Sequence, residues 1–203
     1  MLFRSLTGGI AVRRLLERGD EVSAFVRDPA TFPMKHERLR AVRGDARDAA
    51  SLERAVEGHD AVLSAFGPRS MKKDDLQEQF MQNLVGAMQK AGVKRLSNLS
   101  AWGAGDSIGA LGPVSRIVAR FFLGNLFDDK ARGEVFLFAS GLDFVNVRPS
   151  RLSNRAARGN VKASLDPKDL RSWPLMTRED VATFMIEMLT SDTWVGQSPL
   201  IGY

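Results

Sequence analysis

There is no cysteine among the 203 residues. That excludes a disulfide framework, a thiolate metal site and a cysteine nucleophile in one step. Histidine occurs only at His36 and His59, too few for a histidine-rich metal site. Tyrosine occurs once, as Tyr203, the last residue. No apolar run reaches the ~18 residues that a membrane helix needs, so no membrane partner is expected. The first six residues, Met1-Leu2-Phe3-Arg4-Ser5-Leu6, lack the apolar h-region of a signal peptide. The default compartment is the cytoplasm.

What is present is ordinary globular composition: 44% hydrophobic and 26% charged residues argue against a disordered chain. The length fits one domain over 1–203. The formal charge is +5, carried by 21 arginines and 8 lysines against 24 acids. The basic residues are scattered and usually stand beside acids; Lys72-Lys73 is followed at once by Asp74-Asp75. Basic and aromatic residues are not interleaved on one segment, so no nucleic-acid partner is expected.

Apolar runs alternate with helical patterns along the first three-quarters of the chain. Ala11-Val12 and Leu15-Leu16 share a helical face, and Gly19 is its stop signal. Strands are expected at Glu21–Val26, Leu39–Val42, Ala61–Phe66, Val93–Leu99 and Phe144–Val147. Helices are expected at Ala49–Val56, closed by Gly58, and at Asp74–Ala91, closed by Gly92. Strands separated by helices of this length imply right-handed crossovers and a parallel sheet. In such sheets ligands bind at the carboxyl ends of strands. That directs attention to Arg27, Gly44-Asp45, Gly67-Pro68-Arg69, Ser100-Ala101-Trp102 and Arg148-Pro149. A glycine-rich turn after a first central strand is not visible. Leu2–Leu6 is short and charged for such a strand, and Thr7-Gly8-Gly9 is all that remains of the turn.

The ordered motifs resemble the atypical short-chain dehydrogenase/reductase family, in the group with the NAD(P)H-binding domain of biliverdin and flavin reductases. Leu6-Thr7-Gly8 matches the end of that family's glycine fingerprint, in step with Leu15-Leu16-Glu17-Arg18-Gly19. Val26-Arg27-Asp28-Pro29, Gly44-Asp45-Ala46-Arg47-Asp48 and Val56–Val62 follow in order. Ala91–Arg95, Ser100-Ala101-Trp102-Gly103, Ser140–Phe144, Arg148-Pro149 and Thr177–Ala182 complete a series running from residue 6 to about 201. The resemblance implies an α/β fold, a Rossmann-like doubly wound parallel sheet. It makes Gly8 the last of three fingerprint glycines. Met1–Ser5 then stand where the first strand belongs, and the expectation is an N-terminally truncated sheet. Substrate-side segments are expected at about 103–127 and 150–175. The glycine-punctuated stretch Gly103–Gly124 is expected to be a mobile flap with a short helix.

Site residues follow from the same resemblance. Thr7, Gly8 and Gly9 open a helix, where free amides and the helix dipole favour a pyrophosphate. Arg27 ends the next strand, where an acid would accept from the ribose of NAD. An arginine there suits a 2′-phosphate and argues for NADP(H) preferred over NAD(H); the alternative is a solvated arginine paired with Asp28. Asp45 and Ala46 match an adenine-contacting pair, or form a turn. Ala65, Phe66 and Gly67 lie against the ribose, with Pro68 and Arg69 beyond them. Ser100 is expected beside the nicotinamide, donating to a substrate oxygen or to the carboxamide, or else capping a turn. Lys130 matches the lysine of the mainstream Tyr-x-x-x-Lys motif, but Leu126 occupies the tyrosine position, so the tyrosine mechanism is absent in that form. Lys130 is then structural or phosphate-side. Pro149 lies on the cofactor side of the sixth strand. Arg151 stands where some relatives carry histidine and steers an anionic substrate or holds a flavin phosphate; it is no proton donor near neutral pH. Trp102, Phe121, Phe122 and Trp173 form either a flat wall for a planar acceptor or plain core.

The function implied is an NADPH-dependent reductase of a small planar acceptor (flavin, quinone or tetrapyrrole) by direct hydride transfer, with Ser100 and Arg151 nearest the chemistry. The alternative is a non-catalytic NADP(H)-sensing protein; an isomerase or epimerase relative is a third reading. The sequence carries no signal for oligomeric state.

Overall fold

The computed structural model describes residues 5–67, 74–105, 107, 113–170 and 175–203, without the side chains of 113–123 and 126. Pro68, Arg69 and Trp173, and the side chains of Phe121, Phe122 and Leu126, lie outside the described residues.

The first helix, α1 (Leu6–Arg18), is capped by Ser5, whose Oγ accepts from the Gly8 amide at 3.2 Å. Gly19 ends it with φ 95°, a left-handed conformation that costs glycine little. Then come β1 (Val22–Val26), β2 (Leu39–Arg43), α2 (Ala49–Val56) and β3 (Ala61–Ser64). They are followed by α3 (Leu76–Ala91), β4 (Arg95–Leu99), α4 (Pro113–Phe138) and β5 (Asp143–Pro149). The last part holds β6 (Arg151–Ser153), β7 (Lys162–Ser164), β8 (Leu175–Thr177), α5 (Arg178–Glu187) and β9 (Leu200–Gly202).

β1 and β2 pair in parallel as a two-stranded sheet. A second sheet has the order β3-β4-β5-β9-β7, parallel except for β7. β6 and β8 form a short parallel pair. Alternation in β1 divides the interior into two faces. Val22, Ala24 and Val26 join Val12 and Leu15 of α1 and Val181 and Met185 of α5. Phe25 joins Leu52 of α2, Phe80 and Leu84 of α3, and Leu137 of α4. Helices thus cover a parallel-dominated sheet on both faces, the Rossmann-like doubly wound α/β arrangement.

Several boundaries differ from the sequence reading, each for a tertiary reason. The third strand stops at Ser64, leaving Ala65–Gly67 irregular at its carboxyl end. The helix expected from Asp74 begins at Leu76, because its cap comes from elsewhere. Asp75 makes no side-chain cap; the buried Asp129 carboxylate of α4 accepts from the Gln77 and Glu78 amides at 3.0 and 3.2 Å. Gly133 lets α4 lie this close, since a Cβ there would stand 3.0 Å from the Gln77 carbonyl oxygen. The Gly103–Gly124 flap with a short helix is corrected. From Pro113 onward that stretch is the first part of a 26-residue helix, with proline in the first turn, where its missing N–H costs nothing.

The C-terminus is tied down at Asp180. Its carboxylate accepts from Tyr203 Oη (2.6 Å), Thr177 Oγ1 (2.7 Å) and the Arg158 and Gly159 amides. Burial pushes this carboxyl up, but those four bonds outweigh it and hold it below the usual aspartate range. The Arg158 guanidinium lies 4.2 Å above the Tyr203 ring. The only tyrosine is therefore part of a terminal clamp.

Gly44 shows how tightly the β1–β2 end is packed. A Cβ there would fall 2.1 and 2.4 Å from two Phe25 ring carbons and 2.8 Å from Ser51 Oγ. Phe25 and Ser51 are both buried, so the added carbon forces one of them to shift. Gly44→Ala is expected to lower the unfolding free energy by about 1–3 kcal/mol in urea titration. Unchanged stability would show that the Phe25 ring can move aside.

Candidate active site

Each α1-to-β1 or β-to-α connection reverses the chain, so the amino end of α1 lies at the carboxyl end of β1. There the helix offers few free donors. The Gly8 amide is taken by Ser5 Oγ and the Gly9 amide by the Ser5 carbonyl at 3.0 Å. The first-turn amides without an intrahelical partner are those of Leu6 and Thr7. This narrows the expected anion site from Thr7-Gly8-Gly9 to the very start of the helix. The cap itself was legible, as a serine before an apolar-periodic run, but the sequence reading passed over Ser5.

Arg27 follows β1 directly. Its Nε stands 3.8 Å from Asp45 Oδ2, and both side chains are exposed. The Asp28 pairing does not occur: Asp28 caps the next turn by accepting from the Ala30 amide at 3.0 Å. Asp45 also accepts from the Arg47 amide at 2.9 Å, and Ala46 beneath it is fully buried. The β1–β2 end therefore brings Arg27, Asp45 and Ala46 together. Ala65 and Phe66 are buried, with the Phe66 ring 4.3 Å from Phe80, so Phe66 turns its side chain into the core. Gly67 is exposed, and a Cβ there would meet nothing within 4 Å. Among the described residues no neighbour demands glycine at 67.

At the β4–β5 end a buried polar network appears. Ser100 is 5% exposed, and its hydroxyl donates to Glu134 Oε1 at 2.5 Å. Glu134 Oε1 also accepts from Asn146 Nδ2 at 2.9 Å, and Oε2 pairs with Arg148 Nη2 at 2.8 Å. Arg148 and Glu134 are both about 3% exposed, a fully enclosed ion pair. A hydroxyl has one proton, and that of Ser100 is committed to Glu134. Donation from Ser100 to a substrate or carboxamide, as the sequence reading expects, would require this bond to be given up; the oxygen keeps its capacity to accept. Glu134 was not singled out by the sequence reading, and Arg148 only as a strand-end position, not as half of an ion pair. The available signal was a charge directly before the apolar stretch Val135–Phe138 and another inside Val145–Pro149.

Lys130 lies one turn before Glu134 and donates from Nζ to the Leu99 carbonyl at 3.1 Å. Burial lowers its pKa from 10.5 to about 8, against the opposing pull of Glu134 and Asp129. Pro149 is buried, and its carbonyl accepts from the Trp102 amide at 2.8 Å, which ties the segment after β4 to the end of β5. Trp102 is 3% exposed and so serves as packing rather than an open wall. Arg151 opens β6 with its side chain exposed. Among the described residues, no group of three or more histidines and acids could hold a metal ion.

The lowered Lys130 pKa has a defined consequence for stability. Between pH 8 and 10.5 the native lysine has lost its proton while the unfolded one keeps it. Unfolding then takes up a proton, and stability rises with pH. Relative to Lys130→Met, the wild-type unfolding free energy should climb by up to about 3 kcal/mol across this window. Parallel pH profiles of the two proteins would contradict the burial of this ammonium.

A family model described as NAD(P)H-binding matches residues 5–192. An uncharacterized chloroplastic protein of Arabidopsis thaliana is 32% identical over 205 residues, spanning 92% of this chain and 69% of that protein. Against several other curated relatives the chain spans only 27–32% of their length. Among solved structures, the anaerobilin reductase ChuY of Escherichia coli O157:H7 superposes with a TM-score of 0.81 at 20% identity. The match covers 97% of this chain and 91% of that one. A short-chain dehydrogenase/reductase of Veillonella parvula, solved in complex with NADP, gives 0.79 at 18% identity, covering 98% and 90%. At these identities the structures speak for the fold. The family match over nearly the whole chain goes further: this protein belongs to the NAD(P)H-binding family.

Proposed function

We propose that the chain is an NADP(H)-dependent reductase of a small planar acceptor such as a flavin, a quinone or a tetrapyrrole. The observation that carries the cofactor reading is the pairing of Arg27 with Asp45 at the carboxyl ends of β1 and β2. A guanidinium with an exposed fork at that point suits a 2′-phosphate, where NAD-binding sites place an acid. The bonds at Asp45 and the buried Ala46 fix the floor beside it. Among the described residues nothing stands within 4 Å above Gly67, and the Leu6 and Thr7 amides lack intrahelical partners; both suit a dinucleotide laid across the strand ends. The bound dinucleotide would supply the hydride.

Residues of this chain then position and shield rather than exchange protons. Ser100 has its proton engaged, Lys130 its ammonium bonded to a carbonyl, and Tyr203 is bound in the terminal clamp. A planar acceptor suits this arrangement, because a hydride passed directly to a stacked acceptor requires placement above all, with the proton taken from solvent. Arg151, exposed at the start of β6, is assigned to steering an anionic acceptor. Residues 103–127 and 150–175 would flank it. The reductase named among the similar structures and the one solved with NADP support this reading by analogy of fold.

The engaged proton of Ser100 equally favours a second reading, an NADP(H)-sensing protein without turnover. Mixing the protein with NADPH and FMN, then with NADPH and a quinone, separates the two by the loss of NADPH absorbance. Turnover is expected. Tight NADPH binding without turnover on any acceptor would favour the sensor. In either case Arg27→Asp should weaken NADPH binding at least tenfold and NADH binding by less than twofold in fluorescence titration. Equal losses would remove Arg27 from 2′-phosphate recognition.

A further inference from the structure

The direction of the hydrogen bond between Ser100 and Glu134 is set by its surroundings. The Glu134 carboxylate has no proton to give. Its Oε1 accepts from Ser100 Oγ and Asn146 Nδ2, and its Oε2 from Arg148 Nη2. The Asn146 amide is held as well: its Oδ1 accepts from Asn98 Nδ2 at 2.8 Å, and its Nδ2 also donates to Ser198 Oγ at 3.2 Å. Turning that amide round would set its oxygen against the carboxylate and its nitrogen against Asn98 Nδ2.

Ser100 is thereby left with one role. Its proton points to Glu134, and among the described residues no donor is bonded to its oxygen. Lys130, one turn before Glu134, gives its bond to the Leu99 carbonyl instead. The backbone around the hydroxyl is fastened to β5: the Ser100 amide donates to the Val147 carbonyl and the Trp102 amide to the Pro149 carbonyl, both at 2.8 Å. The carboxyl end of β4 therefore carries a fixed acceptor, held by a charge with almost no solvent access. A fixed acceptor selects a donor. On a nicotinamide ring the carboxamide nitrogen is the one hydrogen-bond donor, whereas the carboxamide oxygen and the oxygens of a quinone only accept.

We infer that Ser100 Oγ accepts from the carboxamide nitrogen of the nicotinamide, and that Glu134 is the positioning residue that keeps Ser100 an acceptor. This rests on the cofactor reading above and adds to it a specificity-determining contact. The pair makes the site selective for a ring that carries an amide. Holding that amide by its nitrogen sets the rotation of the ring about its glycosidic bond, and so which face of C4 meets the acceptor.

The test is a binding cycle on the whole chain by calorimetric titration, with NADP and with its 3-acetylpyridine analogue. In the analogue a methyl group replaces the amide nitrogen and the carbonyl is kept. The wild type should bind NADP about tenfold more tightly than the analogue, the effect of one hydrogen bond. Ser100→Ala, which leaves Glu134 its bonds to Asn146 and Arg148, should bring NADP down to the analogue's affinity and change the analogue less than about twofold. In Glu134→Gln the side-chain oxygen stays with the Arg148 guanidinium, which only donates, and the new amide nitrogen faces Ser100. The Ser100 proton is then released toward the carbonyl that both nucleotides carry, and the preference should fall to within about twofold. A merely structural role would weaken both nucleotides alike and leave their ratio unchanged. Equal losses in Ser100→Ala, or a wild type that binds both nucleotides equally, would overturn the assignment. If Glu134→Gln does not fold, the Ser100→Ala cycle decides alone. A wild type that binds neither nucleotide would remove the cofactor reading and this contact with it.

Discussion

A single buried ion pair organises the carboxyl end of the sheet. Arg148, on β5, and Glu134, on α4, meet at 2.8 Å with almost no solvent access. Such a pair adds little net stability over apolar packing, but losing one partner strands the other and costs about 3–5 kcal/mol. Everything near it is built to satisfy those two charges. Asn146 and Ser100 complete the bonding of Glu134, and Asn98 donates to Asn146 at 2.8 Å. Gly105 comes over the pair with φ 55°, where a Cβ would stand 3.0 Å from Glu134 Oε2. Ser100 is placed by this network, and so is the backbone that runs on to Trp102.

The other end of the site is electrostatically different. Arg27 and Asp45 are exposed, and water screens their attraction, so they remain available to a ligand. The site in the proposed reading has one exposed, charged end at β1 and β2 and one buried, hydrogen-bonded end at β4 and β5. A ligand with a phosphate at one extremity and a flat, weakly polar ring at the other suits that gradient.

Much of the fold was legible because its signals are local. The α2 limits, Ala49–Val56, and the glycine stops at Gly19 and Gly92 follow from periodicity and left-handed turns. The strand-end positions were legible for the same reason. What escaped depends on partners far apart in the chain. Glu134 draws its bonds from positions 100, 146 and 148; Asp129 caps a helix that begins more than 50 residues earlier. Arg27 chose Asp45 over its neighbour Asp28, because Asp28 was already needed for a turn. Periodicity reports which side of an element is buried, not which groups meet there.

The most direct measurement is a crystal structure of this chain grown with NADP. The 2′-phosphate should lie within hydrogen-bond distance of the Arg27 guanidinium, with the nicotinamide toward Ser100 and Pro149. A nucleotide bound on another surface, or reversed across the strand ends, would contradict that placement.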